Sequence, residues 1–445
     1  MLENINKKTK NILSIVLLIL TIVTIYLNIV SHNETLHLIS YSCGYLMITI
    51  IFLMKSNPKI ELDISLLMII FYTATIGICP IILAINKSLY YKEQYLFILI
   101  SYICFIIGYS LMERINRKKF ETRKTQDSEL KKQKSSNVMK IFSIAILACS
   151  VLACAYYVVI NKAYIFGGDL ENGRITSMSG NGLLLVVIKL SILSGGILFE
   201  QYMQKNLKRI SIIIISLIVV IVNLLTGFRS GIILYCITIL LLYNKRKKIN
   251  IKAMLILASL VFILFSGIGV LRSGILSGNK SNSIVKSALS TLQGGSINLK
   301  YIQEVFPNKV NYKYGYTYLI NIIMLKPGPD LDFTLWLKEV LGLKFAGGGV
   351  TPTIIGEFYI NFGYIGTYIG MLILGAFIFL MQKKYNDENK IVLISYIVAL
   401  MTNAFRGGIA NIEITLLAGV IVFYICDFIN RNIEKILKRF AKGRK

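Results

Sequence analysis

Long apolar stretches alternate with short polar ones along the whole chain. Runs suited to spanning occur at 11–30, 36–54, 62–85, 95–112, 140–160, 181–203, 210–226, 230–244, 253–271, 352–380, 391–405 and 409–429. A helix of roughly 20 apolar residues crosses the ~30 Å hydrocarbon layer of a bilayer. The pattern predicts an all-α, polytopic integral membrane protein of about twelve transmembrane helices. It divides into helices one to nine (1–271), a large loop (272–351), helices ten to twelve (352–429) and a basic tail (430–445). The first run is long enough to span and is expected to stay as an anchor rather than be cleaved as a signal peptide.

Charge supplies the sides. An even number of spans puts both termini on one face. The segments on that face carry 33 Lys and Arg, against 7 in the short segments of the opposite face and 9 in 272–351. Positive charge gathers on the cytoplasmic side, so both termini are expected there and the large loop outside. The net charge of +27 invites a nucleic-acid reading, but its location between apolar runs argues for a membrane instead. The 113–140 segment mixes basic, acidic and polar residues and reads as a connector. Residues 430–445 place Ile433, Ile436, Leu437 and Phe440 on one face and read as a basic amphipathic helix on the inner leaflet.

Composition excludes several chemistries. With 55% hydrophobic and 16% charged residues, the chain could not hide its apolar surface in water. The seven cysteines all fall in apolar runs, and the two histidines, His32 and His37, flank the first short turn. No ligand spacing for zinc or haem emerges, so neither metal nor cofactor is expected.

The 80-residue loop is too long to be structureless. Two helical pieces are expected in it: Ser283–Phe306, interrupted at Gly294 and Gly295, and a second from an Asp330 N-cap through Trp336 to Phe345. The lone Trp and its Leu neighbours suit the membrane interface.

Two hairpin tips echo each other. Thr226-Gly-Phe-Arg229-Ser-Gly231-Ile232 joins spans seven and eight, and Thr402-Asn-Ala-Phe-Arg406-Gly-Gly408-Ile409 joins spans eleven and twelve. The flanking runs are short, so each tip should be recessed on the outer side, with an Arg between glycines. An intramembrane Arg is costly and usually functional. Its planar fork of donors suits phosphate, and glycines let backbone N–H groups approach the same anion. Arg272, Arg174 and Lys189 are further cations on the same side. Each also has a plainer reading, as a residue reaching to headgroups or capping helix carbonyls.

A third motif runs from Gly347 through Gly356, Glu357 and Asn361 to Gly363. Glu357 and Asn361, four apart, share a helix face. Glu357 is placed either to act as a general base or to complement a helix N-terminus. Glu413 is expected to be an ion partner of Arg406, and Asp169 and Glu171 are alternative carboxylates.

With these residues in view, the chain resembles the Wzy-type oligosaccharide repeat-unit polymerases of bacterial O-antigen, capsule and exopolysaccharide pathways. The likeness covers the topology of the whole chain. It is sharpest at 223–232, at 347–366 with Ile355-Gly-Glu-Phe-Tyr-Ile-Asn-Phe-Gly-Tyr-Ile-Gly366, and at 402–409. The resemblance implies a GT-C-like glycosyltransferase of the cytoplasmic membrane. It would use no nucleotide sugar and no metal, and would move a growing glycan en bloc from undecaprenyl pyrophosphate onto a fresh lipid-linked repeat unit. By the resemblance, Arg229 and Arg406, with Arg272, would bind pyrophosphate, and the acceptor hydroxyl would either be activated by Glu357 or need little activation if the leaving pyrophosphate is well neutralised. Arg174, Lys189 and Asn361 are further candidates for pyrophosphate or glycan contact from their own positions in the chain. Expected partners are the lipid-linked oligosaccharide, membrane lipids and a chain-length regulator. The related ligases carry a catalytic His in their large loop; here no His follows His37. A flippase of lipid-linked oligosaccharide is the alternative among transporters, and it leaves the long loop unexplained.

Overall fold

The structure is a computed structural model that describes residues 7–30, 33–56, 63–85, 92–121, 137–162, 181–226, 229–247, 249, 297–323, 325, 332–344, 348–386 and 390–442. These residues are helical and contain no strand. The helices are α1 (Lys7–Val30), α2 (Glu34–Ser56), α3 (Ile64–Tyr72), α4 (Cys79–Ile85), α5 (Lys92–Glu121), α6 (Asn137–Ile160), α7 (Gly182–Met203), α8 (Arg209–Leu225), α9 (Arg229–Arg246), α10 (297–305), α11 (Thr317–Ile323), α12 (Phe333–Val340), α13 (Thr353–Asn386), α14 (Ile391–Gly407) and α15 (Glu413–Lys442).

Eight stretches among the described residues are long and apolar enough to cross a membrane, and α8 and α14 are shorter apolar helices. Helices therefore occupy every expected span except 253–271, which lies outside the described residues. Ile365, Ile369 and Ile373 on α13, and Ile210, Ile213 and Leu217 on α8, form exposed stripes at helical spacing. In water such stripes would be a liability, whereas in a bilayer they are the lipid-facing surface. Inside the bundle, α5 and α13 pack backbone to backbone. A Cβ on Gly108 would strike the Leu372 backbone, and one on Gly375 would strike the Phe105 backbone. Small residues at facing positions are what permit this approach in a membrane.

Pro80 explains the break between α3 and α4. Proline has no N–H for the helix ladder, and the chain passes through a π turn at Thr73–Gly77 just before it. The Tyr41 hydroxyl donates to the Gly77 carbonyl at 2.8 Å, and Tyr45 meets the Thr73 hydroxyl at 2.8 Å. An aromatic cluster of Tyr41, Tyr45, Tyr72, Tyr95 and Tyr102 fills the space. His37 is buried here too, with Nδ1 3.3 Å from Asn28 Oδ1.

The two ends of the bundle differ. One end, where α13 finishes and α14 begins, is tied by charge. Arg246 pairs with Glu200, Arg431 with Asp427 at 2.9 Å, and Lys383 donates to Asn116 at 2.9 Å. The other end, called here the loop end, carries α10 to α12. The tail expected at 430–445 continues α15 without a break to Lys442.

Candidate functional site at the loop end

The site begins with a broken helix. At Gly363 the backbone turns to φ 66°, ψ −160°, a region only glycine occupies readily, so α13 is two helical pieces. The break frees two carbonyls. Ile360 accepts from Lys313 N–H and Asn361 from Tyr314 N–H, each at 3.0 Å. Asn361 completes the seam, for its Oδ1 accepts from Gly315 N–H at 2.9 Å and its Nδ2 donates to Thr317 Oγ1 at 2.7 Å. The stretch 313–317 is thereby fastened to α13. The Tyr312 ring sits against Gly363, where a Cβ would have no room.

One turn earlier on the same helix lies Glu357, fully buried. Its carboxylate accepts from Ile409 N–H, from Ala410 N–H at 3.1 Å and from Thr317 Oγ1 at 3.3 Å. The first two donors belong to the 408–412 turn, some fifty residues later in the chain. That turn starts at Gly408, with φ 84° and ψ 169°, and a Cβ there would overlap Glu357 Oε2. Glycine at 408 thus lets the turn close onto the carboxylate, and the carboxylate fills the concavity made by successive N–H groups. One part of the anion reading changes as a result. The Ile409 and Ala410 N–H groups point to Glu357, and Gly408 N–H donates to Ala404 at 2.8 Å, so none of the three is directed at a ligand.

The turn is also held from the loop. Asn321 Nδ2 donates to Ala410 O at 2.5 Å, and its Oδ1 accepts from Phe333 N–H at 2.9 Å, so α11 bridges the turn and α12. On the near side, Phe405 is buried edge-on against Tyr72 and Phe105, with ring centroids 5.7 and 6.2 Å away. Between Phe405 and Gly407, Arg406 is exposed. A short helix ending on an aromatic anchor, followed by a braced glycine turn, presents this guanidinium at the loop end. The helices α8 and α14 have 17 residues and α9 has 18. At ~1.5 Å per residue each covers roughly 26 Å, less than the ~30 Å hydrocarbon layer.

The remaining cations distribute differently. Arg229 opens α9 at the loop end. Arg174 and Arg272 lie outside the described residues, as do Asp169 and Glu171. Lys189, half-buried on α7, lies within electrostatic range of Asp332. Asp332 is the N-cap of α12 and accepts from Leu335 N–H at 2.7 Å and Thr334 Oγ1 at 2.8 Å. The expected start at Asp330 and end at Phe345 are corrected here, because the side chain that caps the helix is Asp332 and the chain leaves helical form after Val340. The helix expected at Ser283–Phe306 is described only from 297.

Sequence reasoning missed Thr317, Tyr318 and Asn321, which are unremarkable in a polar loop until the fold sets Thr317 and Tyr318 beside Glu357 and Asn321 against the Ala410 carbonyl. Burial pushes the Tyr318 phenol well above its ordinary value, and the Glu357 and Glu413 carboxylates add to this. The phenol therefore remains a protonated donor. Glu413 opens α15, and its Oε1 is buried with no hydrogen-bond partner among the described residues. Its expected ion pair with Arg406 is absent among the described residues. The described residues contain no cluster of His, Cys, Asp and Glu suited to a metal ion.

Fold and site together define a polytopic helical membrane protein whose loop end joins a braced glycine turn, an exposed arginine and buried carboxylates. The chain belongs to the O-antigen polysaccharide polymerase Wzy family, which matches residues 10–432. It is accordingly a membrane polymerase of polysaccharide biosynthesis, of glycosyltransferase type. No curated protein and no solved structure gives a significant match.

Proposed function

We propose that the protein polymerises undecaprenyl-pyrophosphate-linked oligosaccharide repeat units by en bloc glycosyl transfer at the outer face of the cytoplasmic membrane, with both termini inside. The observation that carries this reading is the presentation of Arg406. It is exposed in the last turn of α14, between the buried Phe405 and the 408–412 turn that Glu357 and Asn321 hold. Cleaving a sugar–pyrophosphate bond builds negative charge on the leaving group, and a pre-positioned guanidinium stabilises it without reorganising. Arg229, at the start of α9 on a similar hairpin, supplies the second cation in this reading, with Arg272 and Arg174 joining from the loops. Lys189, held near Asp332, adds positive charge within the bundle. The lipid tail accounts for a site built at the membrane surface, and the large loop accounts for contacts to glycan. Asn361 contributes by fastening that loop. A chain-length regulator is the protein partner this reading adds.

Glu357 serves in this reading as the brace of the Arg406 turn. A carboxylate already receiving three hydrogen bonds is a poor acceptor for a substrate proton, which moves it from the base to the scaffold. The test is complementation of a host lacking the gene, with glycan chain lengths read on a gel. Arg406→Ala and Arg229→Ala should each abolish long chains while single repeat units still reach the surface lipid. Arg406→Lys should recover only part of the length distribution, because Lys replaces a planar fork by a point charge. Normal ladders from both Ala variants would overturn the anion role.

A further inference from the structure

Transfer to a sugar hydroxyl calls for a group to receive the hydroxyl proton, and the loop end offers few carboxylates. Among the described residues there, Glu304 pairs with Lys300 at 3.1 Å and is half exposed. Glu339 is exposed on α12. Asp332 is committed to capping that helix and lies near Lys189. Glu357 is saturated by the 408–410 turn and Thr317. Glu413 differs from all of them. The residue is 9% exposed, yet its buried Oε1 accepts no hydrogen bond among the described residues.

A buried carboxylate oxygen left without a donor calls for an explanation. Among the described residues Glu200 Oε2 is the other one, but Glu200 is held through Oε1 by Arg246 and Gln204 at the opposite end of the bundle. An acid in the first turn of α15 would also favour the helix dipole. That role alone leaves Oε1 unexplained. The surroundings point to a ligand hydroxyl. Tyr318 on α11, a protonated donor, and Glu357 on α13 both lie in electrostatic range of Glu413. The 408–412 turn links the end of α14, where Arg406 sits, directly to α15 at Glu413. Cation and carboxylate are thus placed by a single turn, whose geometry Glu357 sets.

We propose that Glu413 is the catalytic carboxylate that receives the proton of the acceptor hydroxyl, an assignment that rests on the polymerase reading. In the step, the acceptor oxygen bonds to the anomeric carbon of the donor glycan. The bond from that carbon to the pyrophosphate oxygen breaks, and its electron pair leaves with the pyrophosphate. The hydroxyl proton passes to Glu413. Glu357 carries no proton in this step and holds the turn.

The experiment uses full-length protein in proteoliposomes and, as probe, undecaprenyl-pyrophosphate-linked repeat units extracted from host cells lacking the gene. Glu413→Gln should lower kcat by about 10²–10⁴-fold. KM for the lipid-linked unit should stay within about twofold, because the pyrophosphate contacts that set uniform binding are untouched. Undecaprenyl pyrophosphate should compete equally against both proteins. A Glu413→Gln protein with kcat within about threefold of wild type overturns the assignment, while the wild-type protein's own polymer keeps the polymerase reading intact. A wild-type protein that makes no polymer overturns the polymerase reading instead. Should Glu413→Gln not fold, Glu413→Asp decides: it keeps a carboxylate one methylene further back and should lose at least about tenfold in kcat, and an unchanged kcat refutes the role.

Discussion

Replacing Glu357 by Gln separates a brace from a base. The side chain keeps its size, so packing around a fully buried position is preserved. What changes is the match to the 408–410 turn. The carboxylate accepts from both Ile409 and Ala410 N–H. A glutamine has one acceptor oxygen. If that oxygen stands at Oε1, Ile409 N–H is stranded; if at Oε2, Ala410 keeps only its long 3.4 Å contact and faces the amide group. A stranded buried backbone donor costs about 1–3 kcal/mol. The surviving bonds become neutral, losing about 1 kcal/mol each relative to charge-assisted ones. With two surviving bonds the total is about 3–5 kcal/mol. Glu357→Ala strands both donors and leaves a cavity, and should be worse. The assay is thermal stability of the detergent-solubilised protein by fluorescence-detected size exclusion, read beside glycan chain length in complemented cells. The expected outcome is a clear loss of stability for Gln and a larger one for Ala, with chain length shortened in the same order. A Glu357→Gln protein as stable as wild type that has lost all polymer would refute the brace and restore the base.

Other consequences follow from the same geometry. Gly408→Ala forces a side chain into φ 84° against Glu357 Oε2 and should cost stability on the scale of about 1–3 kcal/mol from backbone strain, with overlap added. In a double-mutant cycle with Glu357→Ala the two losses should fall short of additivity, since removing the carboxylate removes the overlap; strict additivity would contradict the contact. Asn361→Leu should unfasten 313–317 while the bundle holds, seen as faster hydrogen exchange at Gly315 and Thr317 with little change around α5 and α13. Asn321→Ala should loosen both the 410 turn and the start of α12, and exchange there should rise together.

Much of the fold is legible in the sequence because spans report themselves locally. A run such as 140–160 needs only its own apolar residues to be recognised as a membrane helix. The brevity of α8 and α14 and the placement of Glu357 and Asn361 on one helix were visible at short range. What the sequence concealed is pairing across distance. Nothing near Glu357 announces that its partners are N–H groups at 409 and 410, and Gly408 reads as one more glycine until that carboxylate is set beneath it. The break at Gly363 was hidden by apolar neighbours that suit a continuous helix. Its cause lies in the 312–314 segment, which takes up the freed carbonyls. Asp330 and Asp332 are both acceptable caps at short range, and the choice of Asp332, which accepts from Leu335 N–H, is made by where the helix starts in the fold.

The central claim is that this chain joins lipid-linked glycan units rather than carrying them across the membrane. Purified wild-type protein and its Arg406→Ala variant, reconstituted with undecaprenyl-pyrophosphate-linked repeat units, test it most directly. The expected result is a ladder of glycan lengths and released undecaprenyl pyrophosphate from the wild type, and neither from the variant. Translocation of intact units across the bilayer with no ladder would contradict it.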